Sequence, residues 1–242
     1  RDGGLEACFK GANLMEGYWR PERAAPSPFD EDGYYRSGDA LRWLDPARPE
    51  AGLVYDGRLG ENFKLATGTF VQVASIRDRA LIAGDPWVTD VVVTAPGASE
   101  PGLLVFPNQQ ACRALAAKSP AVFGDRTGAG SGDRNAVGSG DQSAVAFEDI
   151  LAAPAVQAVF RALLETLSAS GTGTTGRIHR LRLQATPPSA AEGEVTEKGS
   201  LNPRRILQRR ASEVVALYRQ AAGTVGIGVF RETSLPTPAA NH

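Results

Sequence analysis

The sequence predicts an α+β protein, because strand-like and helix-like segments are mixed along the chain. Two apolar, β-branched runs, 90–94 and 102–106, are bounded by Gly and Pro and predict strands. Residues 147–167 and 203–220 carry apolar side chains at helical spacing, which predicts two helices. This mixture favours a compact mixed α/β domain.

The first part of the chain, residues 1–57, is predicted to form short strands and turns. A turn is indicated at 30–33 and a strand at 52–55, whereas the run 41–44 alternates poorly. Three prolines in this part disfavour a helix: Pro21, Pro26 and Pro28.

The elements of the second part are each predicted from a local pattern. Residues 63–73 resemble a hairpin, 75–82 and 109–118 predict helices, and 178–183 predicts a strand with alternate leucines on one face. The helix at 147–167 should be interrupted near its start, because proline disrupts a helix interior. The proline concerned is Pro154.

The last helix carries a start signal, with Asn202 as a candidate N-cap and Pro203 at the first helical position. Residues 222–242 are assigned to a tail, Pro- and Ala-rich at its end. The Gly-rich stretch 124–143 lacks the Gly-Lys-Ser/Thr ending of a phosphate loop and is interpreted as a flexible surface loop.

Composition excludes several classes of function. A net charge of −1 indicates no broad basic surface for nucleic acid. No apolar run reaches the roughly 18 residues of a membrane span, and no signal peptide is evident. Cys8 and Cys112 are interpreted as free thiols in a reducing cytoplasm. The two histidines, His179 and His242, are too few to favour a zinc site or a Ser-His-Asp triad, so no metal ligands are assigned.

Lys198 stands out because lysine is rare in this chain. Of the 26 basic side chains only four are lysine, so arginine supplies most of the positive charge. Lys198 precedes a glycine in a polar stretch that predicts an exposed loop. A long, flexible ammonium group there could reach a phosphate or a carboxylate. The alternative is a solvated surface lysine.

Four segments occur in an order that resembles a known family: 17–22 (GYWRPE), 34–39 (YYRSGD), 57–68 (GRLGENFKLATG) and 194–202 (EVTEKGSLN). The first is similar to a G-Y-x-x-x-P-E element, the second to a Y-R-T-G-D motif and the third to a G-R-x-x-[DE]-x-x-K-x-x-G hinge motif. Their order, with a Lys-Gly loop far downstream, resembles the adenylate-forming superfamily of acyl-CoA synthetases, luciferases and nonribosomal adenylation domains.

Finer details are most similar to the feruloyl-CoA synthase branch of that family, which acts on hydroxycinnamate-type aromatic acids. The segments concerned are 39–42 (DALR), 63–70 (FKLATGTF) and 196–202 (TEKGSLN). The resemblance spans roughly residues 10 to 220.

The resemblance also implies a domain organisation. Residues 1–57 would be the end of a large N-terminal domain, including a β-barrel-like piece. Residues 58–61 would be a hinge and 62–221 a mobile C-terminal lid domain. The phosphate loop and the acyl pocket would lie upstream, so the chain is expected to be a C-terminal fragment that is inactive alone and partners the missing domain.

Two candidate nucleotide-binding residues follow from the motifs. Asp39 would accept hydrogen bonds from the two ribose hydroxyls, and Gly38 would let the backbone turn tightly beside the ligand. An ordinary turn aspartate is the alternative. Arg58 would contact ribose or phosphate, whereas the alternative is a surface ion pair with Asp56 or Glu61.

The remaining site residues are implied by the resemblance. Lys198 would bridge the carboxylate and the α-phosphate during adenylation. Gly60 would be the hinge, although many family members carry Asp or Lys at that position. Lys64, Thr67 and Gly68 would face the active site during thioester formation, although Gly68 is nearly as well explained as an ordinary hairpin glycine.

The resemblance therefore implies an ATP-dependent acid–thiol ligase. It would convert a carboxylic acid, ATP and coenzyme A into acyl-CoA, AMP and pyrophosphate, with Mg²⁺ implied by the triphosphate. Two alternatives stay open. The chain could be a non-catalytic interaction module that keeps the fold, or it could adenylate a different acid or serve a carrier-protein thiol.

Overall fold

The computed structural model of the protein describes residues 5–17, 27–59, 62–95, 97–118 and 145–230. Several predicted features lie outside these ranges. They are Gly60 of the hinge, the Gly-rich stretch 124–143, most of the 17–22 segment and the end of the tail beyond residue 230.

The first described part is a three-stranded antiparallel sheet. Strands β1 (Leu5–Phe9), β2 (Tyr35–Trp43) and β3 (Leu53–Arg58) pair in that order, and a 3₁₀ turn at Pro49–Ala51 precedes β3. The prediction of short strands and turns is confirmed, but β2 also includes residues 41–43, where alternation is poor. Within the described ranges β1 and β3 pair only with β2, so these residues form an open sheet and no closed barrel.

A short hairpin follows, formed by β4 (Phe63–Lys64) and β5 (Phe70–Val71), as the sequence predicts. Its turn is closed because the Gly68 amide donates to the Leu65 carbonyl at 2.8 Å. Leu65 is buried, and this apolar contact fixes the hairpin on the rest of the molecule.

The main sheet has the order β6 (Val88–Thr94), β7 (Gly102–Pro107), β8 (Arg180–Gln184) and β9 (Thr224–Gly228). Strands β6 and β7 are antiparallel, whereas β7, β8 and β9 run parallel. Every residue of β7 is buried, which explains its continuous apolar sequence.

Helices cover both faces of this sheet. They are α1 (Val73–Gly84), α2 (Gln109–Ala117), α3 (Phe147–Ala152), α4 (Pro154–Ser170), α5 (Gly173–Gly176), α6 (Pro203–Arg209) and α7 (Ala211–Arg219). Helices α1 to α4 share one apolar core with Val93, Leu103 and Leu181. Helices α6 and α7 pack on the opposite face against Val92 and Leu104. No helix within the described ranges is both long and apolar enough to cross a membrane.

Two boundaries differ from the sequence prediction. The predicted helix 203–220 is two helices that meet at Arg210. Residues 224–228, assigned to the tail, form the edge strand β9. Val225 and Ile227 of this strand pack on the main core, whereas Gly226 and Gly228 between them leave space for side chains from α7 and its end. By contrast, the predicted interruption at Pro154 is confirmed, because α3 ends at Ala152.

Candidate functional site

Asp39 and Arg58 are brought together by the pairing of two strands. They are register partners on β2 and β3, and Arg58 Nε lies 3.1 Å from Asp39 Oδ1. Arg58 also donates to the Ser37 carbonyl at 2.9 Å. The side chains stay 56% and 30% exposed, so a ligand could reach both groups. The ion-pair partner of Arg58 among the described residues is Asp39 instead of Asp56, and the other predicted alternative, Glu61, lies outside those residues.

The backbone leading to Asp39 is held by hydrogen bonds that involve Ser37 and Gly38. The Asp39 amide donates to Ser37 Oγ at 3.0 Å, and Ser37 Oγ donates to the Ala7 carbonyl at 2.8 Å. Gly38 has a φ of 73°, which favours glycine, and its amide donates to Glu6 Oε1 at 3.2 Å. The carboxylate of Asp39 is therefore presented from a fixed segment of strand.

Lys198 lies at the tip of a β-hairpin formed by residues 194–202, which we call the lysine hairpin. Val195 and Leu201 form an antiparallel bridge, and the Thr196 amide donates to the Ser200 carbonyl at 2.8 Å. Lys198 is exposed, and among the described residues no hydrogen bond or ion pair engages its ammonium group. The predicted exposed loop is confirmed, and its positive charge is available to a ligand.

A cleft of about 590 Å³ lies between strand β3 and the lysine hairpin. It is lined by Tyr55 and Gly57 on one side and by Ser200 to Asn202 on the other. Gly57 has a φ of 88°, and a Cβ there would lie 2.8 Å from the Ala74 Cβ on α1. The strand that ends at Arg58 can therefore approach helix α1 closely only with glycine at this position.

The predicted site residues lie on segments that border one cleft, but they do not all contact one another. The segment leading to Arg58 and the downstream arm of the lysine hairpin face the same space. No contact among the described residues joins Lys198 to Asp39 or to Arg58. The structure thus brings Asp39 and Arg58 together and places Lys198 on a separate hairpin, and the cleft is lined by neighbours of Arg58 and Lys198 rather than by these three side chains.

Lys64, Thr67 and Gly68 belong to the β4–β5 hairpin. The Lys64 ammonium lies 4.7 Å from the centre of the Phe70 ring, and Thr67 Oγ1 is 3.2 Å from Thr69 Oγ1. Gly68 has a φ of 81° and open space around it, so its turn conformation accounts for glycine there. The proposed approach of coenzyme A to this hairpin stays a prediction.

A buried ion pair, not predicted from the sequence, lies at the base of the lysine hairpin. Arg210 Nε lies 2.9 Å from Glu194 Oε1, and one terminal guanidinium nitrogen lies 2.8 Å from Glu194 Oε2. Burial alone would raise the pKa of Glu194, but hydrogen bonds from Arg210 and the Ser189 amide lower it below its ordinary value. The run Arg209-Arg210 inside an apolar helix pattern was the available signal.

The acidic side chains do not suggest a metal centre in the described ranges, where no group of three or more His, Cys, Asp or Glu side chains could hold an ion. Cys8 is exposed and Cys112 is buried, and both are free. Burial raises the pKa of the Cys112 thiol to about 11, which makes it a poor nucleophile at neutral pH.

Comparisons with known proteins show a shared fold and sequence similarity over part of the chain. No family model matches the chain. Long-chain-fatty-acid–CoA ligase 6 of Rattus norvegicus is 36% identical over 73 residues, which are 30% of this chain and 10% of that protein. The chain thus spans about a tenth of the length of this curated relative.

Two solved structures match nearly the whole chain. The adenylation domain of a carboxylate reductase from Mycobacterium chelonae has a TM-score of 0.61 at 19% identity, covering 90% of this chain and 28% of that one. The A-PCP didomain of carboxylic acid reductase from Segniliparus rugosus, in complex with AMP, has a TM-score of 0.59 at 20% identity, covering 89% and 25%. The chain therefore has the fold of these adenylation domains, and its partial sequence similarity to a CoA ligase agrees with the adenylate-forming superfamily.

Proposed function

We propose that the chain is part of an ATP-dependent acid–thiol ligase that adenylates a carboxylic acid and transfers the acyl group to coenzyme A. The observation that carries this proposal is the Asp39–Arg58 pair on β2 and β3, with the lysine hairpin across the adjoining cleft. Sequence similarity to a CoA ligase and the fold of adenylation domains support it.

The first reaction activates the acid. A carboxylate oxygen forms a bond to the α-phosphorus of ATP, and the bond between that phosphorus and the bridging oxygen breaks, which releases pyrophosphate. Asp39 accepts hydrogen bonds from the ribose hydroxyls, and Arg58 donates to ribose or phosphate. Lys198 bridges the carboxylate and the α-phosphate and stabilises the negative charge that develops there.

The second reaction uses the activated acyl group. The sulfur of coenzyme A attacks the acyl carbon, AMP leaves and the thiol proton is released. In the proposal this step requires rotation at Gly60, which carries the Lys64, Thr67 and Gly68 hairpin to the active site. A glycine hinge absorbs such a change in backbone angles without steric cost.

Mg²⁺ accompanies the triphosphate in this proposal, but the described residues supply no ligand cluster for it. No step is therefore assigned to a metal ion on this chain. The residues that are present fit the nucleotide instead, since an exposed carboxylate and an exposed guanidinium match ribose and phosphate groups.

The acid is proposed to be a hydroxycinnamate such as ferulate. This choice depends only on the resemblance of 39–42, 63–70 and 196–202 to the feruloyl-CoA synthase branch. The curated relative reported above is named for long-chain fatty acids, so a fatty acid is the competing substrate class.

The test is acid-dependent exchange of radiolabelled pyrophosphate into ATP, catalysed by the full-length gene product that contains this chain. Ferulate, coumarate, benzoate and a long-chain fatty acid are compared. We expect exchange with ferulate, its loss in Lys198→Ala and its retention in Lys118→Ala. Lys118 is a matched control, because it is an exposed lysine at the end of α2.

A second assay separates the two reactions. Lys198→Ala should still form thioester from a supplied acyl-adenylate, because only adenylation needs its charge. Equal loss of both reactions would refute the assigned role of Lys198. A folded protein that binds ATP but shows no exchange with any acid would favour the non-catalytic interaction module.

One observation favours a second candidate, in which the acceptor is a carrier-protein thiol. The chain has the fold of the adenylation part of an A-PCP didomain. Adenylation without transfer to coenzyme A, but with transfer to an added carrier protein, would select this candidate.

A further inference from the structure

Arg210 is almost completely buried, with 1% of its side chain exposed, at the point where α6 meets α7. Each of its five N–H groups has an acceptor. Two bonds go to Glu194, and the others go to Gln184 Oε1 at 3.2 Å, the Thr186 carbonyl at 2.8 Å and the Pro187 carbonyl at 2.9 Å. The guanidinium group therefore joins the helix junction to the end of β8.

Glu194 is equally buried, with no exposed side-chain surface. Besides Arg210, it accepts a hydrogen bond from the Ser189 amide at 2.9 Å, and an Arg209 nitrogen lies 3.2 Å away. These partners leave the carboxylate little freedom to change its direction. Removing one partner from such a buried pair leaves an uncompensated charge, so the arrangement is strongly specified.

The lysine hairpin begins at this carboxylate. The Asn202 amide donates to the Glu194 carbonyl at 2.8 Å, so both arms of the hairpin are joined at the residue that Arg210 holds. A short isolated hairpin is marginally stable in water. The position of Lys198 at its tip consequently depends on how firmly the base is fixed.

We propose that Arg210 and Glu194 are positioning residues that set the direction of the lysine hairpin and hence the position of Lys198; its catalytic part rests on the proposed adenylation. Apolar side chains of similar volume could stabilise the fold equally well. A bidentate arginine–carboxylate pair adds a fixed orientation that apolar packing does not. The pair therefore orders the hairpin before substrate arrives.

A matched control is available in the same layer of the molecule. Arg182 on β8 lies 2.6 Å from Glu213 on α7, and their side chains are 16% and 9% exposed. Arg182 also donates to Gln220 Oε1 at 3.1 Å. None of these contacts involves a residue of the lysine hairpin. Arg182→Met therefore removes a comparable ion pair and leaves the contacts of the hairpin in place.

The first experiment measures amide hydrogen exchange in the hairpin of the full-length protein. In Arg210→Met and Glu194→Gln, the amides of Thr196 and Asn202 should exchange at least about tenfold faster than in the wild type. In Arg182→Met they should exchange at the wild-type rate. Glu194→Gln keeps the side-chain shape, so it remains informative if Arg210→Met does not fold. Unchanged exchange in Glu194→Gln, or equal acceleration in Arg182→Met, would overturn the proposal.

The second experiment tests whether the pair acts through Lys198. Glu194→Gln should lower the rate of pyrophosphate exchange by at least about tenfold and largely spare thioester formation from supplied acyl-adenylate. Combined with Lys198→Ala, it should cause no further loss of exchange. Additive losses would refute action through Lys198. If Lys198→Ala alone has no effect, the proposed catalytic role fails, whereas the hydrogen-exchange result still decides whether the pair orders the hairpin.

Discussion

In the proposed function, Arg58 contributes more to ligand binding than to the stability of the fold. Its ion pair with Asp39 is exposed, and such pairs contribute about 0–1 kcal/mol to stability. A hydrogen bond to a charged ligand group is worth about 1.5–3 kcal/mol. We therefore expect Arg58→Ala to leave the free energy of unfolding nearly unchanged and to lower kcat/KM for ATP by about tenfold or more.

The control for this prediction is Arg48→Ala. Arg48 forms an exposed ion pair with Asp45 at 2.7 Å, with side chains 70% and 32% exposed. It should have the same small effect on urea denaturation but none on pyrophosphate exchange. Indistinguishable kinetics of the two variants would contradict a nucleotide-binding role for Arg58.

Glu194 gives a prediction about acid stability. Its pKa in the folded protein is below its ordinary value of 4.5, chiefly through Arg210 and despite burial. The unfolded state therefore binds more protons below about pH 5, and stability falls as pH decreases through the folded pKa. We expect the wild type to lose more stability than Glu194→Gln between neutral pH and pH 3.

Urea denaturation across this pH range measures the effect. Asp45 also has a lowered pKa, owing first to its hydrogen bond with Arg48, but it is present in both proteins and its contribution cancels in their difference. Parallel curves for wild type and Glu194→Gln would show that Glu194 is not held ionised in the folded state.

At the scale of elements, the contact between β3 and α1 depends on Gly57. A Cβ at Gly57 would meet the Ala74 Cβ at 2.8 Å, in addition to the strain of a φ of 88°. Gly52 has a φ of 101° with open space around it, so Gly52→Ala suffers strain alone. We expect Gly57→Ala to cost about 1–3 kcal/mol more than Gly52→Ala.

A double-mutant cycle in chemical denaturation isolates the clash. Ala74→Gly should cost about 1 kcal/mol in the wild type, because glycine weakens a helix. In the Gly57→Ala background the same change should cost less or stabilise, since it removes the colliding methyl group. Additive effects would mean that the strand and the helix do not meet closely at this position.

Local pattern predicted those elements whose own side chains decide their conformation. The two apolar runs correctly predicted strands β6 and β7, and Pro154 correctly predicted the break between α3 and α4. The break at Arg210 could not be predicted, because no Pro or Gly marks it and its partners lie 16 to 26 residues away in sequence. Strand β9 was missed because two of its five residues are glycine, which weakens the short alternating pattern of Val225 and Ile227.

The candidate site, too, was only partly predictable from local sequence patterns. Asp39, Arg58 and Lys198 were found through motif resemblance, and the register of β2 with β3 then brought the first two together. The ion pair of Glu194 and Arg210 at the base of the lysine hairpin was not predictable, because burial of a charged pair depends on tertiary packing. Motif resemblance therefore predicted the groups proposed to meet a ligand, whereas only the fold revealed the buried pair proposed to position Lys198.

At the scale of the whole molecule, the proposed two-step reaction requires the two sides of the cleft to change their relative orientation. Such rotation must be concentrated in a few backbone angles between β3 and β4. The amide of Leu59, within the predicted hinge 58–61, donates to the Gly38 carbonyl at 2.8 Å, so the chain is fixed just before Gly60. Phe63 is fixed just after it by the pairing of β4 with β5.

Gly60→Pro should therefore separate the two reactions. Proline fixes φ near −65° and restricts the preceding residue to extended conformations, which prevents rotation at this point. We expect pyrophosphate exchange to persist and thioester formation from supplied acyl-adenylate to be abolished, whereas Gly60→Ala should retain most of both. A general folding defect would abolish pyrophosphate exchange as well as thioester formation. It is therefore distinguished from the expected result, in which exchange persists. Unchanged thioester formation in folded Gly60→Pro would show that the second reaction proceeds without rotation at Gly60.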